Sequence, residues 1–231
     1  MAPRPSYDLL IIGGGINGAG IARDAAGRGL KVLLVEQDDL AAHTSSASTK
    51  LIHGGLRYLE TYNFRLVREA LQEREKILRI APHIAKVLTF ILPLAPHSRP
   101  FWMISLGLLF YDALGGRGRL PKSHTVQLDP AGYGAGLKPT LLHGFSYADG
   151  WIDDARLVVL NAVDARMRGA DIRTRTRFMG AERAGSAWVA KISEHGETRE
   201  VLARVIVNAA GPWVDQVLRN LGGAPRRRPP G

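Results

Sequence analysis

No cysteine occurs among the 231 residues, which excludes disulfides, thiolate metal sites and a cysteine nucleophile. Any redox chemistry must therefore come from a bound cofactor. Long apolar runs are also missing. The longest, Phe101 to Tyr111, is broken by Ser105 and Gly107 and falls far short of the roughly 20 residues of a membrane-spanning helix. Met1 to Tyr7 lacks the charged, apolar and small-residue regions of a secretory signal, so the expected location is the cytoplasm. Acidic residues are in deficit: 31 Lys and Arg face 21 Asp and Glu, a formal net charge of +10. That excess suits nucleic acid, an anionic membrane surface or an anionic substrate, and does not by itself choose among them. Apolar residues make up 45% and charged residues 23%, which excludes a collagen-like or wholly disordered chain. The length allows one large domain, or one and part of another.

The first interpretable unit is Asp8-Leu9-Leu10-Ile11-Ile12, a continuous apolar run that reads as a strand buried on both faces. It runs into Gly13-Gly14-Gly15-Ile16-Asn17-Gly18, and small residues continue through Ala22, Ala25 and Ala26, as in a helix packed tightly on a sheet. A second apolar run, Lys31 to Val35, ends in Glu36. Together these form a βαβ unit of about 30 residues.

Gly13-x-Gly15-x-x-Gly18 matches the dinucleotide fingerprint in its proper context: a strand before it, a helix after it, and an acidic residue 21 positions beyond Gly15. Gly13 serves the tight turn, Gly15 lets backbone amides approach a pyrophosphate, and Gly18 lets helix and strand pack closely. The helix N-terminus favours the phosphate charge. Glu36 is placed to accept hydrogen bonds from ribose hydroxyls. The fingerprint alone does not separate NAD from FAD.

Further along, Leu59, Tyr62, Leu66, Ala70, Ile77 and Ile80 recur at helical spacing, predicting an amphipathic helix from Leu56 to Ile80 that Pro82 stops. Lys86 to Leu94 is β-rich and is expected in a different sheet. Gly115 to Pro139 reads as mostly loop. Asp153-Asp154 begins a helix running to about Arg168, with acidic residues at its positive end. Four short strands follow, at Ile172 to Arg175, Phe178 to Arg183, Trp188 to Ile192 and Glu200 to Asn208. Gly, Pro and Arg occupy nine of the last twelve positions, so Asn220 to Gly231 is expected to be a disordered tail.

The hydroxyl-rich, glycine-containing loop Thr44 to Tyr58 comes just after the second strand and offers hydroxyls and amides to a second phosphate and a polar ring. Here the chain resembles the FAD-dependent, quinone-linked glycerol-3-phosphate dehydrogenases, members of the amino-acid-oxidase-like flavoprotein superfamily. The resemblance rests on Gly13 to Gly29, Thr44 to Glu60 with its SSASTKLIHGGLRYLE, YADGWIDDARLV from Tyr147 to Val158, and NAAGPWV from Asn208 to Val214, in that order. It covers roughly Tyr7 to Leu218.

The implied fold is α/β: a Rossmann-like FAD-binding domain with a β-meander, and an incomplete antiparallel substrate-binding domain. Residues 1–84 and 151–219 are expected to form the first, 85–150 part of the second, and 220–231 the tail. By the resemblance, FAD lies along Ile12, Gly13, Gly14, Gly15, Ile16, Asn17 and Gly18, with Glu36 on its ribose and Gln37 and Asp38 near the adenosine. Ser45, Ser46, Thr49, Leu51 and Ile52 contact the pyrophosphate and the ring edge, and Ala210, Gly211 and Trp213 close the site. Phe178 or its neighbours pack by the adenine.

Arg57 and Tyr58 match the family's glycerol 3-phosphate contacts, and a guanidinium suits a phosphate dianion; without the resemblance Arg57 reads as a surface charge at a helix start. His53 is a candidate for tuning or proton transfer beside the flavin, or for a structural role bonded to backbone. Asp149, Asp153 and Asp154 read as helix capping rather than a metal cluster. His43, His83, His97, His124, His143 and His195 show no ligand spacing, so no metal is expected.

The implied reaction is oxidation of sn-glycerol 3-phosphate to dihydroxyacetone phosphate, in glycerol metabolism, with electrons passed to membrane quinone. The implied partners are glycerol 3-phosphate, quinone and an anionic membrane surface at the inner face of the cytoplasmic membrane. Nucleic acid is not expected, since the arginine tail lacks interleaved aromatics, and the sequence is silent on oligomeric state. Family members are roughly twice this length, so the chain is expected to be an amino-terminal part, inactive alone and binding FAD weakly or not at all. The alternatives are another flavoprotein of the superfamily, such as an amine or amino-acid oxidase, and a non-enzymatic product with a basic tail.

Overall fold

The computed structural model describes residues 5–55, 63–115 and 120–222. In chain order the elements are β1 (Ser6–Ile12), α1 (Ile16–Gly27), β2 (Val32–Val35), β3 (Leu51–Ile52), α2 (Phe64–Ile80), β4 (Ala85–Pro93), α3 (Phe101–Gly115), β5 (His124–Gln127), β6 (His143–Ile152), α4 (Asp154–Met167), β7 (Asp171–Arg173), β8 (Thr176–Ala184), β9 (Ala187–Glu194), β10 (Glu197–Asn208) and α5 (Val214–Asn220). They fall into two compact units, one from Met1–Ser48 with Asp154–Gly231 and one from Thr49–Asp153. The boundary therefore lies at Ser48, not near 84 as expected. The described residues between 49 and 84 fall in the second unit, where β3 pairs with β6 and Val67 and Leu71 of α2 pack on Tyr111.

The first unit is built on a six-stranded sheet ordered β7-β2-β1-β10-β9-β8. β7, β2, β1 and β10 run parallel, while β10, β9 and β8 form an antiparallel meander. The twelve-residue β10 joins the two parts: its first half pairs with β9 and its second half with β1.

Alternation along the central strands sorts their side chains to opposite faces. Leu10, Ile12, Leu33 and Val35 pack with Phe178, Ala190, Ile192 and Val201, whereas Ile11, Val32 and Leu34 pack with Ala22, Ala25 and Ala26 of α1 and Ala165 of α4. Both faces are covered, which is why these strands read as unbroken apolar runs. The small residues let α1 lie close to the sheet, so its N-terminus projects from the end of β1. Each fully buried Leu or Val here contributes about 1.5–3 kcal/mol.

In the second unit β6 is central. It pairs antiparallel with β4 along one side and with β3 and β5 along the other. The expected apolar stripe of α2 is corrected. Leu66 and Ile80 are 49% and 64% exposed, and the buried positions are Val67, Leu71 and Arg74. That i, i+4, i+7 stripe was hidden because one of its members is a cation whose burial depends on a partner from β6. Leu59 and Tyr62 lie outside the described residues. Asn220, expected in the disordered tail, instead closes α5, and Leu221 and Gly222 form a hydrogen-bonded turn after it; residues 223–231 lie outside the described residues. Among the described residues no helix is long and apolar enough to cross a membrane.

Candidate functional site

In the first unit, β1 ends at a turn that only glycine fits. Gly13 has φ +115°, and a Cβ there would lie 2.5 Å from Ala209 O. Its amide donates to Val35 O at 2.9 Å, tying the turn to β2. A Cβ on Gly18 would run into Gly13 O, so the helix approaches the strand end as closely as two backbones allow. A Cβ on Gly14 would fall 2.8 Å from Glu36 Cβ, and one on Gly15 would fall 2.9 Å from Ser45 Oγ. Gly15 is the N-cap of α1 and has no side chain with which to satisfy the first-turn amides. Ile16 N–H donates to Ser45 Oγ at 2.9 Å.

These residues open on a cavity of about 300 Å³, within the range of small-molecule sites. Of the positions expected at a cofactor, Ile12, Gly13, Gly15, Ile16, Asn17, Glu36, Gln37, Ser45, Ala210, Gly211 and Trp213 line it, as does Phe178. Gly14 and Gly18 lie behind the turn, where they allow Glu36 and α1 to come close. Glu36 is buried, and its carboxylate accepts the Gly14 amide at 2.6 Å and the Asp38 amide at 2.9 Å. Each carboxylate oxygen has two lone pairs, so acceptor capacity remains for hydroxyls in the cavity. Asp38 bonds the His43 ring at 2.7 Å, and Ser46 donates its hydroxyl to His43 O at 3.1 Å.

His43, Arg177 and Gln216 also line the cavity and were not singled out in the sequence. His43 packs on Trp213 with ring centroids 4.5 Å apart. Its one sequence signal is its place two residues before Ser45. Glu36, Asp38 and His43 bring one ligand atom each within 4.8 Å of one another, but those groups are engaged with the Gly14 and Asp38 amides and with each other. Asp154 opens α4, and its carboxylate accepts the Ala155 amide at 2.8 Å and the Ser48 hydroxyl at 2.7 Å. The expected capping role is corrected for Asp149, which lies within β6 and is buried.

Thr49, Leu51, Ile52 and His53 belong to the second unit. Leu51 and Ile52 pair with Trp151 and Gly150. His53 is exposed, and its Nδ1 accepts the Gly55 amide at 3.0 Å. The Gly54 amide donates to the Tyr111 hydroxyl, which donates to Asp149 Oδ2, both at 2.8 Å. Arg74 Nη1 donates to Asp149 Oδ1 at 2.8 Å, and its Nε is buried without a hydrogen-bond partner among the described residues. Burial pushes the Tyr111 phenol well above its ordinary value, and the Asp149 charge pushes it further. The phenol therefore remains a donor at any ordinary pH. A Cβ on Gly54 would lie 2.6 Å from Leu71 and 3.0 Å from the Tyr111 ring. No spacing in the sequence announces this network, because its members come from α2, α3, β6 and a loop. Arg57 and Tyr58 lie outside the described residues.

Comparison with known proteins adds to this geometry. The family described as FAD dependent oxidoreductase matches residues 8–230. The chain is 54% identical over 230 residues to D-erythritol 1-phosphate dehydrogenase of Brucella abortus, covering 99% of this chain and 46% of that protein. It is 56% identical over 215 residues to glycerol-3-phosphate dehydrogenase of Pseudomonas tolaasii, covering 93% of this chain and 41% of that protein. Among solved structures, the glycerol-3-phosphate dehydrogenase from Bacillus halodurans complexed with FAD is 30% identical with a TM-score of 0.65, covering 93% of this chain and 36% of that one. The chain thus spans less than half the length of these relatives.

Proposed function

The chain belongs to the FAD-dependent oxidoreductase family, and from that premise we propose that it takes part in the oxidation of a polyol phosphate, sn-glycerol 3-phosphate, to dihydroxyacetone phosphate. The observation that carries the reading is the glycine-built cavity at the start of α1, closed by the buried Glu36 carboxylate. Its donors fit the adenosine diphosphate part of FAD. The amides that open α1 and the positive end of that helix suit a pyrophosphate, and Glu36 suits the ribose hydroxyls. Trp213, over His43, closes the far wall.

FAD when bound supplies the two-electron acceptor for the C2–H bond of the substrate. The chain's own residues bind and orient. Arg57 and Tyr58 hold the substrate phosphate, and His53 stands by the secondary alcohol, whose hydroxyl proton passes to a base other than His53 as the C2 hydrogen departs with its electron pair to the acceptor. Transfer of the two electrons onward to membrane quinone is part of the proposal. So is docking at the inner face of the cytoplasmic membrane. The excess of +10 and the exposed Trp102, Leu109 and Phe110 of α3 support it, since apolar insertion and basic charge together favour an anionic surface.

D-erythritol 1-phosphate is a second candidate substrate, favoured by a match that runs over 99% of the chain. The chain alone is expected to bind FAD weakly or not at all, so the cofactor is tested by flavin-fluorescence titration of a protein that joins this chain to the remaining length of a relative: saturable quenching that ADP competes away supports it, and no binding of FAD or ADP overturns it. Reduction of an acceptor dye by the same lengthened protein tests the substrate, the chain alone being expected to be inactive. Reduction by glycerol 3-phosphate or erythritol 1-phosphate supports a polyol phosphate, and reduction by an amino acid instead overturns it.

A further inference from the structure

The loop His53-Gly54-Gly55 has both its glycine amides committed. Gly54 N–H donates to Tyr111 Oη, and Gly55 N–H donates to His53 Nδ1. A nitrogen that accepts a hydrogen bond carries no proton, so the neutral imidazole holds its proton on Nε2. We propose that Tyr111 is the positioning residue of this loop: its hydroxyl holds Gly54 so that Gly55 can engage Nδ1 and fix His53 as the Nε2–H tautomer.

The direction of every bond in the network supports this. Arg74 and the Tyr111 hydroxyl both donate to Asp149, at 2.8 Å each. With its only proton committed to Asp149, the Tyr111 oxygen has only lone pairs to offer Gly54, so the Gly54 amide meets an acceptor that cannot turn round. Arg74 and Asp149 are both about 5% exposed at their side chains, and water does not compete for these bonds. Leu71 and the Tyr111 ring press on Gly54 from the side, leaving no room for the loop to shift toward them.

The consequence for chemistry rests on the proposed oxidation. His53 enters it as a hydrogen-bond donor through Nε2–H, holding an oxygen of the substrate. It is not the base that takes the hydroxyl proton, because its lone pair is occupied by Gly55. An imidazolium donates at both nitrogens and has no acceptor left for that amide, so a His53 acting as base would first surrender the loop.

The test is made on the full chain, labelled with nitrogen-15, without cofactor or substrate, so it stands or fails separately from the flavin reading. A through-hydrogen-bond coupling between Gly55 N and His53 Nδ1 is expected at neutral pH. In Tyr111→Phe, which keeps the ring, that coupling is expected to disappear while Gly54 amide exchange quickens by about tenfold. Val67→Ala trims a buried neighbour of Tyr111 without touching the hydroxyl and is expected to keep the coupling, which separates positioning from general packing. Absence of the coupling in the unaltered chain, its survival in Tyr111→Phe, or its equal loss in Val67→Ala overturns the proposal. Where Tyr111→Phe does not fold, 3-fluorotyrosine at position 111 keeps ring and hydroxyl while altering the strength of the bond. The coupling and the Gly54 amide shift then move together, and an unmoved coupling overturns the proposal.

Discussion

Glu36 Oε2 accepts the amide of Gly14 at 2.6 Å, so the acidic residue that follows β2 also holds the glycine turn that follows β1. Its second oxygen holds the Asp38 amide. Glu36→Gln keeps the shape but replaces one acceptor by an NH₂ that faces a backbone N–H. One buried donor is left unmet, at a cost of about 1–3 kcal/mol. The urea midpoint is expected to fall accordingly. FAD affinity, read by fluorescence titration in a protein that joins this chain to the remaining length of a relative, is expected to fall by about tenfold or more, the equivalent of about 1.4 kcal/mol.

Two glycines of α1 should respond in opposite senses to the same substitution. Gly18→Ala drives a methyl into Gly13 O, a backbone atom that cannot swing aside, and is expected to destabilise by about 1–3 kcal/mol or more. Gly20 has nothing within 4 Å of its would-be Cβ and sits in the helix interior. Gly20→Ala is expected to stabilise by about 0.5–1 kcal/mol. Thermal unfolding of the two variants beside the parent reads both signs.

The parts of the fold that were legible in the sequence are those fixed by local pattern. The Leu9–Ile12 run, the Gly13–Gly18 turn and Glu36 announce themselves because both faces of the central strands are buried and because close backbone approach admits only glycine. α2 was misread because Arg74 counts as polar in any periodicity, while its burial depends on Asp149, 75 positions away. Tyr111 was equally hidden: its role comes from bonds to Gly54 and Asp149, on two other elements. His43 showed no ligand spacing, yet the loop geometry sets it against Trp213 and Asp38.

Arg74 and Asp149 form an ion pair at 2.8 Å with both side chains nearly out of solvent. Removing one partner leaves the other as an uncompensated buried charge, so Arg74→Met is expected to destabilise the protein by about 3–5 kcal/mol. Adding Asp149→Asn removes the orphaned charge and should recover part of that loss. A double-mutant cycle from urea unfolding measures the coupling. A second mutation that only adds further destabilisation would show that the pair is not what holds α2 to β6.

The final prediction concerns pH. Asp171, on the edge strand β7, receives hydrogen bonds from Tyr7 Oη at 2.8 Å and from Arg173 Nη2 at 2.7 Å. Burial works to raise its carboxyl, but the bonds from Arg173 and Tyr7 and the Arg173 charge outweigh it, so the pKa lies below the ordinary 3.8. A depressed folded pKa means stability that is fully present above pH 3.8 and is lost as the pH falls through the folded value. Tyr7 has the opposite sign. Burial, then the bond to Asp171, raises its phenol above 10.0, so its contribution is present below pH 10 and disappears as the pH rises through the folded value. Asp171→Asn should therefore flatten the acid limb of a plot of urea midpoint against pH and leave the alkaline limb sloping less than before. Tyr7→Phe should remove the tyrosine share of the alkaline limb. Because the two side chains share one hydrogen bond, the double variant should lose less than the sum of the single losses at neutral pH. Additive losses, or an acid limb unchanged in Asp171→Asn, would place the pH dependence elsewhere in the molecule.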